Sequence, residues 1–167
     1  AAERHFDRLL DRVLAETLAL AQGDAGILFL ISDDEKALRP AAARVSQPLG
    51  AVTADRLPAL SLTELPSHPL VEAARGTVPQ IRPLAPNEPL ADYFALLTDL
   101  SIQQVGQLIL VPLRNRQQEL VGLLALLRAS APRDDNRIGS ELLAFIAALS
   151  GTSAVSIENQ RLLQAQK

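Results

Sequence analysis

Apolar residues recur at three- and four-residue steps through the first segment of the chain, at Phe6, Leu9, Leu10, Val13, Leu14, Thr17, Leu20 and Ala21. Glu3, Arg4, Asp7, Arg8, Arg12 and Glu16 fill the intervening positions. This spacing predicts an amphipathic helix over Glu3–Gln22, with Gly23 as a stop suited to the left-handed conformation. Ile27–Ile31 is an unbroken apolar run with no alternation, which predicts a strand covered on both faces. A polar turn, Ser32–Lys36, precedes a second strand over Ala37–Val45 in an antiparallel hairpin. Pro40 inside that strand predicts an edge or bulged position, because proline cannot donate to a ladder.

From Ser46 to Pro89 the periodicity dissolves. Most of the chain's eleven prolines lie here, among them Pro58, Pro66, Pro69, Pro79, Pro83, Pro86 and Pro89, so only short elements are expected. Leu70–Arg75, stopped by Gly76, fits a short helix, and Val78–Arg82 a short strand. Leu49, Val52, Leu57, Leu60, Leu62 and Leu65 make the segment too apolar for a solvated linker. It is expected to be an ordered crossover packed on the core, where binding pockets are often built.

Asp92–Leu100 fits another short helix. Gln107–Leu113 and Glu119–Leu127 are two nearly pure apolar strands joined by the polar Arg114–Gln118, a hairpin again buried on both faces. Pro132-Arg133-Asp134-Asp135 marks a helix start that leads to Gln166 as one long helix or two, with Gly139 and Gly151 as weak points. The order α-β-β-crossover-α-β-β-α predicts an α/β (α+β) three-layer α/β/α sandwich with a central, mainly antiparallel sheet. The 167 residues suit a single domain: an N-terminal helix over 1–22, a crossover and pocket over 46–100, and a C-terminal signalling or dimer helix over 134–166.

Composition removes several functions. The net charge is -3 and aromatics are 3%, so neither a basic field nor a base-stacking platform is expected, and nucleic acid is excluded as a partner. There is no Cys, hence no thiolate metal site, thiol nucleophile or disulfide framework. The longest apolar runs, Leu120–Leu127 and Leu108–Leu113, fall short of the ~18 residues of a membrane helix, and no signal peptide opens the chain. A cytoplasmic domain excised from a longer protein is the expectation, since the chain begins at Ala1 rather than Met.

Candidate chemistry is sparse. His5 and His68 have no clustered ligands beside them, which argues against a metal site, and no cofactor is expected. Phosphate-cradling glycine motifs and the Gly-x-Ser-x-Gly elbow are absent. Asp33-Asp34-Glu35 and Asp134-Asp135 sit where a turn and a helix cap account for them, so no catalytic residue is assigned. Four residues remain as pocket candidates: His68 and Arg82 in the crossover, and Tyr93 and Phe94 opening the helix after it. His68 also fits an exposed turn, and Phe94 a core anchor. Tyr93 needs a partner for its hydroxyl if buried, and Arg82 can pair with an anion through its planar fork. Ile157–Gln164 thins to a narrow apolar seam with polar flanks, which fits either a parallel dimer contact or a surface helix end.

Gly106-Gln107-Leu108-Ile109-Leu110-Val111-Pro112-Leu113, a polar turn, and Glu119-Leu120-Val121-Gly122-Leu123-Leu124-Ala125-Leu126 are similar to the paired strands of GAF domains. The closing helix through Ala154-Val155-Ser156-Ile157-Glu158-Asn159-Gln160-Arg161-Leu162 resembles that family's terminal helix, and Pro69-Leu70-Val71-Glu72-Ala73-Ala74-Arg75-Gly76 falls in its order. The resemblance spans essentially the whole chain. It implies a non-catalytic sensory or regulatory module of a bacterial signal-transduction protein, such as a two-component system. Such a module dimerises through its terminal helices, carries a linked output domain, and holds any small ligand under the crossover, here Ser46–Leu100. Bilin-carrying and sulfoxide-reducing members need a Cys that this chain lacks. The Asn-Lys-x-x-Phe-x-x-x-Asp-Glu pattern of cyclic-nucleotide-binding members is missing too, and His68 would be the sole axial ligand for a haem. A sensor of cyclic nucleotides or nucleotide-like molecules is the alternative the resemblance leaves open.

Overall fold

The computed structural model describes residues 2–21, 23–32, 34, 36–45, 50–52, 57–64, 69–83, 107–128 and 136–165. Helix α1 spans Ala2–Ala21 and is followed by strands β1 (Ala25–Ile31) and β2 (Ala37–Val45). The crossover contributes β3 (Gly50–Val52), β4 (Leu60–Ser61), helix α2 (Pro69–Arg75) and β5 (Gln80–Pro83). Strands β6 (Gln107–Arg114) and β7 (Leu120–Arg128) precede the terminal helix α3 (Asn136–Ala165). The helix expected at Asp92–Leu100 and the Asp134-Asp135 cap lie outside the described residues.

Among the described residues the strands form one antiparallel sheet in the order β3-β2-β1-β7-β6-β5, with β4 also paired to β2. Strands β1, β6 and β7 are buried along nearly their whole length, as the lack of alternation in their sequences requires. Odd-numbered positions of β1 and β7 (Ile27, Phe29, Leu123, Ala125, Leu127) join Leu108 and Leu110 of β6 and Leu70, Ala73 and Ala74 of α2 in one core. The opposite face, with Leu28, Leu30, Ile109, Val111, Leu124 and Leu126, packs on Leu10, Val13, Leu14 and Leu18 of α1 and Ala154 and Ile157 of α3. Helices α1 and α3 therefore form one outer layer, and among the described residues α2 with Leu57 and Leu60 covers the other face.

The α1 stripe differs from its sequence-based register at one residue. Leu18, not Leu20, enters the core: Leu18 is buried and Leu20 is exposed, because Leu18 continues the Leu10–Leu14 step. Thr17 is fully buried in the same stripe, its hydroxyl donating to the carbonyls of Val13 and Leu14. Gly23 ends the helix for a reason of space, not of dihedral angle. A Cβ there would fall 2.6 Å from Leu18 Cδ1 and 3.2 Å from the Leu127 carbonyl, while its own amide closes on the Leu18 carbonyl.

Pro40 sits beside a bulge and on a locally unpaired edge. The register jumps from Leu28↔Ala42 to Phe29↔Pro40, and among the described residues β3 and β4 pair with β2 at residues 43–45 and 37–38. The proline thus occupies the stretch of β2 between those two short neighbours, where a residue without a donor is tolerated. Strand β5 begins at Gln80, two residues later than expected, and Val78 is left exposed in the loop before it. Helix α3 continues through both Gly139 and Gly151.

Candidate functional site

The strongest polar constellation among the described residues is built at the end of β6. Strand alternation sends consecutive side chains to opposite faces of a sheet. It runs unbroken along β6, with Leu108 and Leu110 on the α2 face and Ile109, Val111 and Leu113 on the α3 face. The extra residue of the bulge beside Arg114, Val121, lies on β7. Arg114 goes to the α2 side. Its Nε donates to the Gly76 carbonyl (2.9 Å), Nη2 to the Ala74 carbonyl (2.9 Å) and Nη1 to the Gln118 carbonyl (2.8 Å). The guanidinium thereby satisfies carbonyls at and just beyond the end of α2, groups that have no partner inside a helix.

Asn115 goes to the α3 side and is buried, with 7% of its surface exposed. Its Oδ1 accepts from the amides of Gln117 and Glu119, both at 2.9 Å, which fixes the turn. Its Nδ2 donates to Glu158 Oε2 of α3 at 2.7 Å and to Glu119 Oε1 at 3.3 Å. Backbone bonds from Asn115 N to Glu119 O and from Gln118 N to Asn115 O close the loop, and Gln118 takes a left-handed φ of 64°. Beside this turn Asn115, Arg116, Gln117, Val155, Glu158 and Asn159 line an open cleft of about 210 Å³ between the turn and α3.

The crossover side of the sheet has the opposite character. Its described floor, Ile27, Phe29, Leu108, Leu110, Leu123 and Ala125, is buried and apolar. Among the pocket candidates from the sequence, His68, Tyr93 and Phe94 lie outside the described residues. Arg82 is placed by its backbone in β5, opposite Leu108 of β6, so its strand borders that apolar floor. No group of three or more metal-ligating side chains occurs among the described residues. No described helix is long and apolar enough to cross a membrane.

The sequence pointed to neither Arg114 nor Asn115, which it placed in a polar turn. The available signal was an Asn opening a turn directly after an apolar strand, with a Glu in the facing helix. Of the acidic turn Asp33-Asp34-Glu35, Asp34 is described: its Oδ1 accepts from the Ser32 hydroxyl (2.6 Å) and the Lys36 amide (3.0 Å), the structural role expected of it.

The described elements form an antiparallel sheet with the two terminal helices on one face and a short helix on the other, a single α/β class of domain. The profile of the GAF domain family matches residues 5–157, and the chain belongs to that family. Solved structures agree in fold. The second GAF domain of DevS from Mycobacterium smegmatis is 16% identical, with a TM-score of 0.65 over 96% of this chain and 98% of that one. The GAF domain of Thermosynechococcus elongatus PixJ, in its blue-light-absorbing form, is 18% identical, with a TM-score of 0.61 over 99% and 92%. The GAF domain of a putative sensor histidine kinase from Pseudomonas syringae pv. tomato is 18% identical, with a TM-score of 0.61 over 96% and 80%. No curated protein matches the sequence.

Proposed function

We propose that this chain is a non-catalytic sensory module of a cytoplasmic bacterial signalling protein, of the two-component kind, spanning 1–167 as one domain. It dimerises through α1 and α3, binds a small molecule under the crossover, and passes the signal along α3 to a linked output domain. The observation that carries this reading is the division of labour between the sheet faces. One face is closed by the two terminal helices, and α3 ends with Leu162 and Leu163 at 55% and 56% exposure. The other face is an apolar floor packed on α2 and bordered by β5, in which the backbone of Arg82 pairs with Leu108. Structurally similar chains include the GAF domain of a putative sensor histidine kinase and a far-red cyanobacteriochrome photoreceptor, which supports a sensory reading.

Since the described floor is apolar, polar recognition falls to crossover residues, with His68, Arg82, Tyr93 and Phe94 the candidates. A chain without Cys cannot carry a thiol-linked chromophore, so the ligand is held non-covalently or through oxygen and nitrogen groups. Light scattering at micromolar concentration tests the association, and a monomer would remove dimerisation from the proposal. Native mass spectrometry of gently purified protein, with a thermal-shift panel that includes cyclic nucleotides, tests the ligand. Neither a bound mass nor a shift would reduce the reading to a structural dimer module.

A further inference from the structure

We propose that Arg114 and Asn115 form a coupler between the two faces of the sheet, holding the pocket-side helix α2 and the C-terminal helix α3 to one rigid turn. As a route for signalling it rests on the sensory reading above, with α2 on the input side and α3 on the output side. As a mechanical link it is a property of the chain by itself.

The two residues are neighbours in sequence yet grip elements on opposite faces. Arg114 makes charge-assisted bonds to the carbonyls of Ala74 and Gly76. Asn115 bonds Glu158, a charge-assisted contact at 2.7 Å with a buried donor. Both grips share the same turn: Arg114 also holds the Gln118 carbonyl, while Asn115 holds the Gln117 and Glu119 amides. All the hydrogen-bonding capacity of the Asn115 amide is used, so the side chain has no alternative partner to swing towards. The turn cannot follow α2 without displacing the Asn115 amide from Glu158. A movement of α3 at Glu158 pulls in the same way on the carbonyls that end α2. Coupling of this kind is reciprocal by thermodynamic necessity.

Amide hydrogen exchange on the ligand-free chain tests it. Glu158→Ala removes the α3 grip, and exchange over residues 153–162 should rise about fivefold, the equilibrium factor of one lost hydrogen bond. The coupler requires that exchange over residues 72–77, at and just beyond the end of α2, also rise by about twofold or more, on the face Glu158 does not touch. Arg114→Gln should give the mirror result, with faster exchange at residues 153–162. Amides of β1 and β7 should keep wild-type protection in both variants, which separates coupling from global loosening. Glu158→Gln, which retains an acceptor oxygen, should behave as wild type. Effects confined in each variant to its own face of the sheet would overturn the proposal. If either variant also loosens β1 and β7, Glu158→Asp, whose shorter side chain withdraws the acceptor from Asn115, and Arg114→Lys, which lacks the planar fork, supply the same cross-face comparison at lower cost to the fold. No ligand or second copy enters the measurement, so failure of the coupler and failure of the sensory reading are distinguishable.

Discussion

The backbone carbonyl of Phe29 in β1 occupies the space where a side chain on Gly122 of β7 would begin. The two residues lie in adjacent antiparallel strands, with Phe29 opposite Leu123 and Leu30 opposite Gly122. A glycine here lets β1 and β7 approach at the centre of a sheet covered on both faces, and it accounts for the Val121-Gly122-Leu123 step physically. The Gly122→Ala variant should lose stability by about 1–3 kcal/mol, because backbone in a packed core cannot yield as a side chain can. Urea unfolding monitored by circular dichroism would measure this as a lower midpoint at an unchanged m-value, and a wild-type midpoint would contradict the close approach.

Gln118 offers the opposite case. It holds φ at 64° in the β6–β7 turn, a conformation that costs a residue with a Cβ about 1–2 kcal/mol and glycine almost nothing. Its side chain is exposed and its backbone makes the useful contacts, through its amide to Asn115 and its carbonyl to Arg114. Gln118→Gly should therefore stabilise the domain by about 0.5–1 kcal/mol after the added chain entropy of glycine is subtracted. Chemical denaturation of the two proteins side by side decides it, and a destabilised variant would mean that the side chain matters.

Gly151 lies within α3 with nothing within 4 Å of where a Cβ would stand. No packing demand explains a glycine there. Gly151→Ala should raise stability by about 1 kcal/mol through helix propensity alone. It should also slow exchange of the surrounding α3 amides. An unchanged melting temperature would count against this.

Asp34 gives the β1–β2 turn a pH dependence. The Ser32 hydroxyl first, then the Lys36 amide, and then the charges of Lys36 and Arg39 hold its carboxyl below the ordinary value. A carboxyl lowered in the folded state contributes stability above its unfolded pKa of about 3.9, and this is lost as pH falls through the folded value. The Lys36 amide should lose protection as the solution is acidified below that range, and Asp34→Asn should abolish the acid-induced change. A Lys36 amide equally labile at neutral and acid pH would refute the role given to the carboxylate.

How much of this was legible in the sequence follows from what each pattern encodes. Continuous apolar runs such as Ile27–Ile31 and Leu120–Leu127 have one reading in a short chain, a strand covered twice, so the central sheet and its layers could be anticipated. The α1 stripe was legible to within one residue. Leu18 and Leu20 are equally apolar, and Leu18 is the one buried because it continues the four-residue step of Leu10 and Leu14 on the face packed against the sheet. Pro40 announced both a bulge and a locally unpaired edge, but the short strands β3 and β4 that flank it, paired at residues 43–45 and 37–38, could not be read from the proline-rich segment. Arg114 and Asn115 were hidden for a related reason. Polar residues after a strand ordinarily mean a solvated turn, and their partners lie about forty residues away in opposite directions.

The terminal seam provides the last test. Leu162 and Leu163 project from α3 at 55% and 56% exposure, beyond the point where Ile157 is buried against the sheet. Leucines already in solvent contribute little to the fold of one chain, so Leu162→Glu with Leu163→Glu should leave its thermal stability nearly unchanged, within about 0.5 kcal/mol. In a dimer built on this helix each buried leucine would contribute up to about 1.5–3 kcal/mol, and a pair of carboxylates would oppose each other across the seam. Association should then weaken by tenfold or more, about 1.4 kcal/mol for each factor of ten. Light scattering over a concentration series measures both proteins in one experiment. A dimer that survives the double substitution would place its interface elsewhere on the domain, while a stability loss comparable to that of a core substitution would mean that the two leucines pack within a single chain.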